Sequence, residues 1–115
     1  MARQFDLEER TTKFAKAVIE ICKIVPRNPI NDRVVGQVVG ASGSVGANYR
    51  EANDALGKKD FIQRMKIARR EAKESHHWLE LLLVANSDNE NNIKPLIKEA
   101  DELKRILSTI IERSQ

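Results

Sequence analysis

Apolar residues recur at helical spacing in four separate stretches of this chain. In the first, Leu7, Phe14, Val18, Ile21 and Val25 share one stripe, while Lys13, Lys16, Glu20 and Lys23 lie largely away from it. The spacing predicts a helix from Asp6 or Leu7, with Glu8 and Glu9 at the positive end of its dipole. It stops at Pro26. The segment Pro26-Arg27-Asn28-Pro29 reads as a stiff turn, because each proline fixes its own backbone and biases the residue before it away from helix. Asn31 or Asp32 is then expected to cap a second helix.

The second helix has two faces. Val34, Val38, Val45, Tyr49, Ala52 and Leu56 fall on an apolar stripe, and Gly36, Gly40, Gly43 and Ala47 lie about 170° away. Each interior glycine costs a helix about 1 kcal/mol relative to alanine, so a line of them implies close approach by another backbone. That backbone belongs either to a neighbouring helix of the same bundle or to a second subunit. Gly57 breaks the chain before a third helix, whose core stripe is Phe61, Met65, Ala68, Ala72, Leu79 and Leu83. The polar run from Asn86 to Asn92 reads as a solvated loop, with Asn91 or Asn92 capping a fourth helix and Pro95 in its first turn. Leu96, Ala100, Leu103, Leu107 and Ile110 form the last stripe. Short breaks make successive helices antiparallel neighbours, which predicts an all-α, up-down-up-down four-helix bundle with left-handed, near coiled-coil packing.

Length and composition fit one domain over residues 1–115, since 115 residues allow a single respectable core and aromatics are only 4%. No run of apolar residues is long enough to span a bilayer, and the stretch Met1–Arg10 lacks the pattern of an export signal, so a cytoplasmic location is expected. The single cysteine, Cys22, excludes an internal disulfide and reads as a buried, inert thiol. A net charge of +3 permits an acidic partner.

Charge is most directional on the third helix. Lys59, Lys66, Arg70, Lys73 and His77 project to one side, about 150° from the core stripe, as a ridge able to track phosphates or simply as a solvated face. No aromatic residues interleave with it, so base stacking is not indicated. Another side carries Asp60, Arg64, Glu71 and Trp78, where Trp78 is either an aromatic anchor between subunits or the edge of a wide apolar sector. Ser44, Asn48 and Glu51 line the flank of the second helix and are expected to form a hydrogen-bonded layer with Glu71 or Ser75. His76 and His77 are adjacent and do not share a face, which disfavours a metal site. No nucleophile with its base and no glycine-rich phosphate loop is present, so no catalytic residue, metal ligand or cofactor is assigned.

The run Ser44-Val45-Gly46-Ala47-Asn48-Tyr49-Arg50-Glu51-Ala52, then Lys59-Asp60-Phe61, Ile67-Ala68-Arg69-Arg70-Glu71-Ala72 and Trp78-Leu79, resembles the bacterial four-helix-bundle family of 23S rRNA intervening-sequence proteins. Related bundles include the accessory variability determinant of diversity-generating retroelements, which works with a reverse transcriptase and nucleic acid. The resemblance implies a small protomer that assembles into a homopentameric ring with a basic surface, binds RNA or nucleoprotein, and has no enzymatic activity. It also implies structural roles for Asn48, Arg50, Glu51 and the Asp60-Phe61 helix start. Gly57 stands where relatives often have serine, so the third helix is expected to lack a side-chain cap.

These readings converge on a non-enzymatic homo-oligomer. Lys59, Lys66, Arg70 and Lys73 are its expected nucleic-acid contacts, and Gly36, Gly40, Gly43, Ala47 and Trp78 its expected subunit interface. The alternative is a scaffold that docks a partner protein without touching nucleic acid.

Overall fold

The computed structural model describes the backbone from residue 4 to residue 115 and the side chains from Leu7 onward. Four helices make up the described chain: α1 (Gln4–Ile24), α2 (Pro29–Asn53), α3 (Lys58–Ala85) and α4 (Glu90–Ser114), with a 3₁₀ turn at Ser87–Asn89 leading into the last. α2 lies along α3, α3 along α4, and α1 rests on α2 while only lightly meeting α4. The four-helix bundle expected from periodicity is therefore what these residues build.

The core is the set of stripes turned inward. Phe14, Val18 and Ile21 from α1 meet Val38, Val45, Tyr49 and Ala52 from α2, Met65, Ala68, Ala72 and Leu79 from α3, and Ala100, Leu103 and Leu107 from α4. Small and large residues are both fully buried, Ala68, Ala72 and Ala100 beside Met65, Leu79 and Leu103 in one core cluster. Each buried leucine, valine or isoleucine contributes about 1.5–3 kcal/mol of transfer free energy, and this burial holds the helices in place against their conformational entropy.

Several local expectations are corrected at the helix ends. Leu56 is fully exposed, because α2 ends at Asn53 and helical projection no longer applies beyond it. Leu82, not Leu83, completes the α3 stripe, and Leu83 is only half-buried. Asn28, and neither Asn31 nor Asp32, caps α2: its side-chain oxygen accepts from the Asn31 N–H at 2.8 Å, and Pro29 occupies the first helical position. Asn31 is instead buried. Its Nδ2 donates to the Pro26 carbonyl at 2.8 Å and to Asn86 Oδ1 at 3.1 Å, while Asn86 Nδ2 returns a bond to Asn31 Oδ1 at 2.9 Å. The polar run from Asn86 is not an open loop, since the 3₁₀ turn carries it directly into α4 at Glu90. Pro95 consequently sits inside α4 beyond its first turn, and neither Asn91 nor Asn92 is a cap.

The expected polar layer between α2 and α3 is likewise replaced by local bonds. Asn48 Nδ2 donates to the Ser44 carbonyl of its own helix, and Ser75 Oγ to the Glu71 carbonyl of its own. A buried serine satisfies itself this way at no demand on a neighbour. Gly57 does precede α3 without a side-chain cap.

Close backbone approach occurs at one glycine of α2. A Cβ built on Gly46 would lie 2.8 Å from Thr11 Oγ1, so glycine is what allows α1 to settle on α2 there. At Gly36, Gly40 and Gly43 a Cβ would meet nothing within 4 Å, and these three, with Ala47, are exposed. Close packing inside the bundle therefore does not account for them.

Candidate functional site

α3 is the longest helix, and its outward face carries the sequence-predicted contacts. Lys59, Lys66, Arg70 and Lys73 are all exposed, and His77 continues their line. The helical rise of about 1.5 Å per residue spreads Lys59 to Lys73 over roughly 21 Å. Among the described residues, Lys58, Lys59, Lys66, Arg69 and Lys73 have no carboxylate within ion-pair distance, whereas Arg64 has Asp60 and Arg70 has Glu71, each at 3.8 Å.

The reason is legible in the spacing. Within α3 no acid stands three or four positions from Lys59, Lys66, Arg69 or Lys73, and Lys66, Arg69, Arg70 and Lys73 stack on one another at that same spacing. α4 is built oppositely: Lys94 pairs with Glu90 at 2.9 Å, and Lys104 and Arg105 share Asp101 at 3.4 and 2.9 Å. Lys58 and Arg69 stand outside the sequence-predicted ridge; the missing acid neighbours are the signal that finds Arg69, whereas Lys58 has Asp54 four positions before it and is shown unpaired only by the structure.

Several charges on the other helices are paired within the bundle, although among the described residues Lys13, Lys16, Arg33, Lys98 and Arg113 are not. Arg10 of α1 donates through Nε and Nη2 to both carboxylate oxygens of Glu99 at 2.7 and 2.8 Å, and through Nη2 to Glu102 at 2.9 Å. The Glu99 hydrogen bond raises the Arg10 pKa further above its ordinary value. Arg50 reaches Glu8 at 3.0 Å and Thr12 at 3.1 Å, joining α2 to α1. Arg27 holds Asp32 below the usual carboxylate range, and Lys94 does the same for Glu90. At Asp101 desolvation pulls upward, yet the hydrogen bonds from Arg105 and Lys104 keep it low. Cys22 is half-buried, and that burial pushes its thiol up to about 11.

A surface depression of about 820 Å³ lies between α1 and the neighbouring parts of α2 and α4, away from the α3 ridge; Phe14, Ala17 and Leu96 contribute its apolar lining. Its Arg10, Glu99 and Arg50 are engaged in the pairs just described, and Glu9, Lys13 and Lys16 stand at its rim. Among the described residues no three His, Cys, Asp or Glu side chains come together as a metal site. His76 faces Glu80 at 3.5 Å, and the His77 ring meets Trp78 edge-on at 5.0 Å. Trp78 is half-buried against the core from the flank of α3, which agrees with an apolar sector wide enough to reach it.

A model of the 23S rRNA-intervening sequence protein family matches residues 3–109. The chain belongs to that family. No curated protein matches this 23S rRNA-intervening sequence protein. Among solved structures it is similar to a protein of unknown function of the S23 ribosomal protein family from Bacteroides thetaiotaomicron. The two share 28% identity with a TM-score of 0.78 over 90% of this chain and 96% of the other. No helix of the described residues is long and apolar enough to cross a membrane.

Proposed function

We propose that this 23S rRNA-intervening sequence protein is a non-enzymatic homo-oligomer, five copies in a ring, that binds structured RNA or a nucleoprotein partner through the outer face of α3. The observation that carries the reading is the run Lys66, Arg69, Arg70 and Lys73, like charges at helical contact spacing with only Arg70 near an acid. Each like-charge pair costs a helix roughly 0.2–0.5 kcal/mol, and phosphates laid along the face would reverse the sign of that term. Lys59 extends the track past the uncapped start of α3, where the first amide N–H groups have no side-chain acceptor from Gly57.

The ring rests on the family resemblance and on the open face of Gly36, Gly40, Gly43 and Ala47, where a second backbone has room to approach. Trp78, half-buried at the flank of α3, supplies an aromatic edge for a subunit contact. Light scattering on a sizing column, with and without total RNA at low and moderate salt, tests both parts. A ring-sized mass that grows with RNA and loses the increment as salt rises supports the reading; a monomer indifferent to RNA refutes it. Charge reversal at Lys66 and Lys73 is expected to weaken binding and flatten its salt slope.

The open glycine face also favours a second reading, a scaffold that docks a partner protein directly. A specific protein retained after nuclease treatment, by a ring with no RNA response, selects it over the first.

A further inference from the structure

We propose that the α3 track selects double-stranded over single-stranded nucleic acid and does so without reading the sugar, an inference that rests on α3 being the nucleic-acid face. A protein distinguishes the two forms by stacking unpaired bases on aromatic rings or by responding to the density of phosphates. Between Lys59 and Lys73 the first means is missing from this face, whose exposed ring, the small imidazole of His77, lies beyond Lys73. Between Lys59 and Lys73 the sole aromatic of α3 is Phe61, packed against the core, and Phe14 and Tyr49 are buried. Trp78 is packed against the core, and its edge-on contact is with the exposed His77 at 5.0 Å.

Charge density is left as the discriminator. A duplex carries one phosphate per about 1.7 Å of axis, both strands counted, and releases more counterions per contact than a single strand. A rigid helix bearing Lys59, Lys66, Arg70 and Lys73 along about 21 Å gains most from the denser, preordered polymer. Lysine and arginine tips make sequence-tolerant phosphate contacts, and the neutral amide on this stretch of the face is Gln63, so no group set is arranged to recognise a 2′-hydroxyl.

Fluorescence anisotropy with a mixed-sequence duplex RNA, the same sequence as duplex DNA, and one strand of the RNA, across a salt series, tests this. Both duplexes are expected to bind comparably and the single strand about tenfold or more weaker, with a log–log salt slope near about −3.6 for four duplex contacts. The variant Lys59→Gln, Lys66→Gln, Lys73→Gln alters only exposed side chains and should keep its helicity by circular dichroism while losing the duplex preference. Single-strand binding equal to or tighter than duplex overturns the inference and leaves α3 as the nucleic-acid face. So does a strong preference for RNA duplex over DNA duplex. Binding of none of the three removes the α3 reading itself, and an unchanged duplex affinity in the triple variant moves the site off α3.

Discussion

Asn31 and Asn86 face each other across the bundle interior, each side-chain amide donating to the other's oxygen at 3.1 and 2.9 Å. Each also donates to a main-chain carbonyl, Asn31 to Pro26 and Asn86 to Leu82, so the pair ties the α1–α2 turn to the end of α3. Both residues are buried, and no buried side-chain polar atom among the described residues is left without a partner. Asn86→Ala strands the Asn31 amide oxygen and is expected to cost about 1–3 kcal/mol in urea unfolding. Replacing both by leucine removes the two amides together, leaving only the Pro26 and Leu82 carbonyls without their side-chain donors, and should cost less than the single change. A double variant as damaged as the single one would show that shape, and not hydrogen bonding, holds this junction.

Two glycines of one helix should respond oppositely to alanine. At Gly46 the new methyl meets Thr11 Oγ1 at 2.8 Å, and crowding of that kind costs about 1–3 kcal/mol. At Gly40 it meets nothing, and the helix gains up to about 1 kcal/mol. Denaturation of the two variants reads the contrast. If Gly40 lies between subunits, Gly40→Ala should at the same time reduce the mass seen by light scattering.

Arg10 and Glu99 join α1 to α4, helices that otherwise meet only lightly. Arg10→Ala should destabilise by about 1 kcal/mol in dilute buffer, a value already discounted for a side chain 38% exposed. In molar salt the difference should shrink, because the pair is screened. An effect indifferent to salt would assign the loss to packing of the arginine stem.

Cys22 should be slow toward thiol reagents at neutral pH, since its pKa is pushed up to about 11 by burial. The raised value also fixes a sign: the folded state holds the proton more tightly than the unfolded chain. The corresponding stability is present below the thiol's ordinary pKa and lost as pH rises toward about 11. Labelling rates against pH check this, with fast modification at pH 7 as the contrary result.

The stripes were readable because burial in a helix bundle repeats every three or four residues, and Val38, Val45, Ala68, Leu79 and Leu103 obey that period. The ends were less so. Asn28 and Asn31 offer the same capping chemistry three positions apart, and only the buried Asn86 partner, 55 residues away, decides that Asn31 turns inward. Thr11 and Gly46 pose the same difficulty, a contact between helices that neither helix announces. The α3 cations were the more legible part of the candidate site, because their lack of partners follows from spacing within one helix.

The turns have a consequence for how this molecule meets anything else. The segments between α1 and α2 and between α2 and α3 span residues 25–28 and 54–57, and α3 passes to α4 through Asn86 and one 3₁₀ turn. Links this short cannot fold over a bound molecule or reshape themselves around it. The contacts the described protomer makes come from side chains standing on helices or on these tight turns, so adaptation in any encounter falls to the partner.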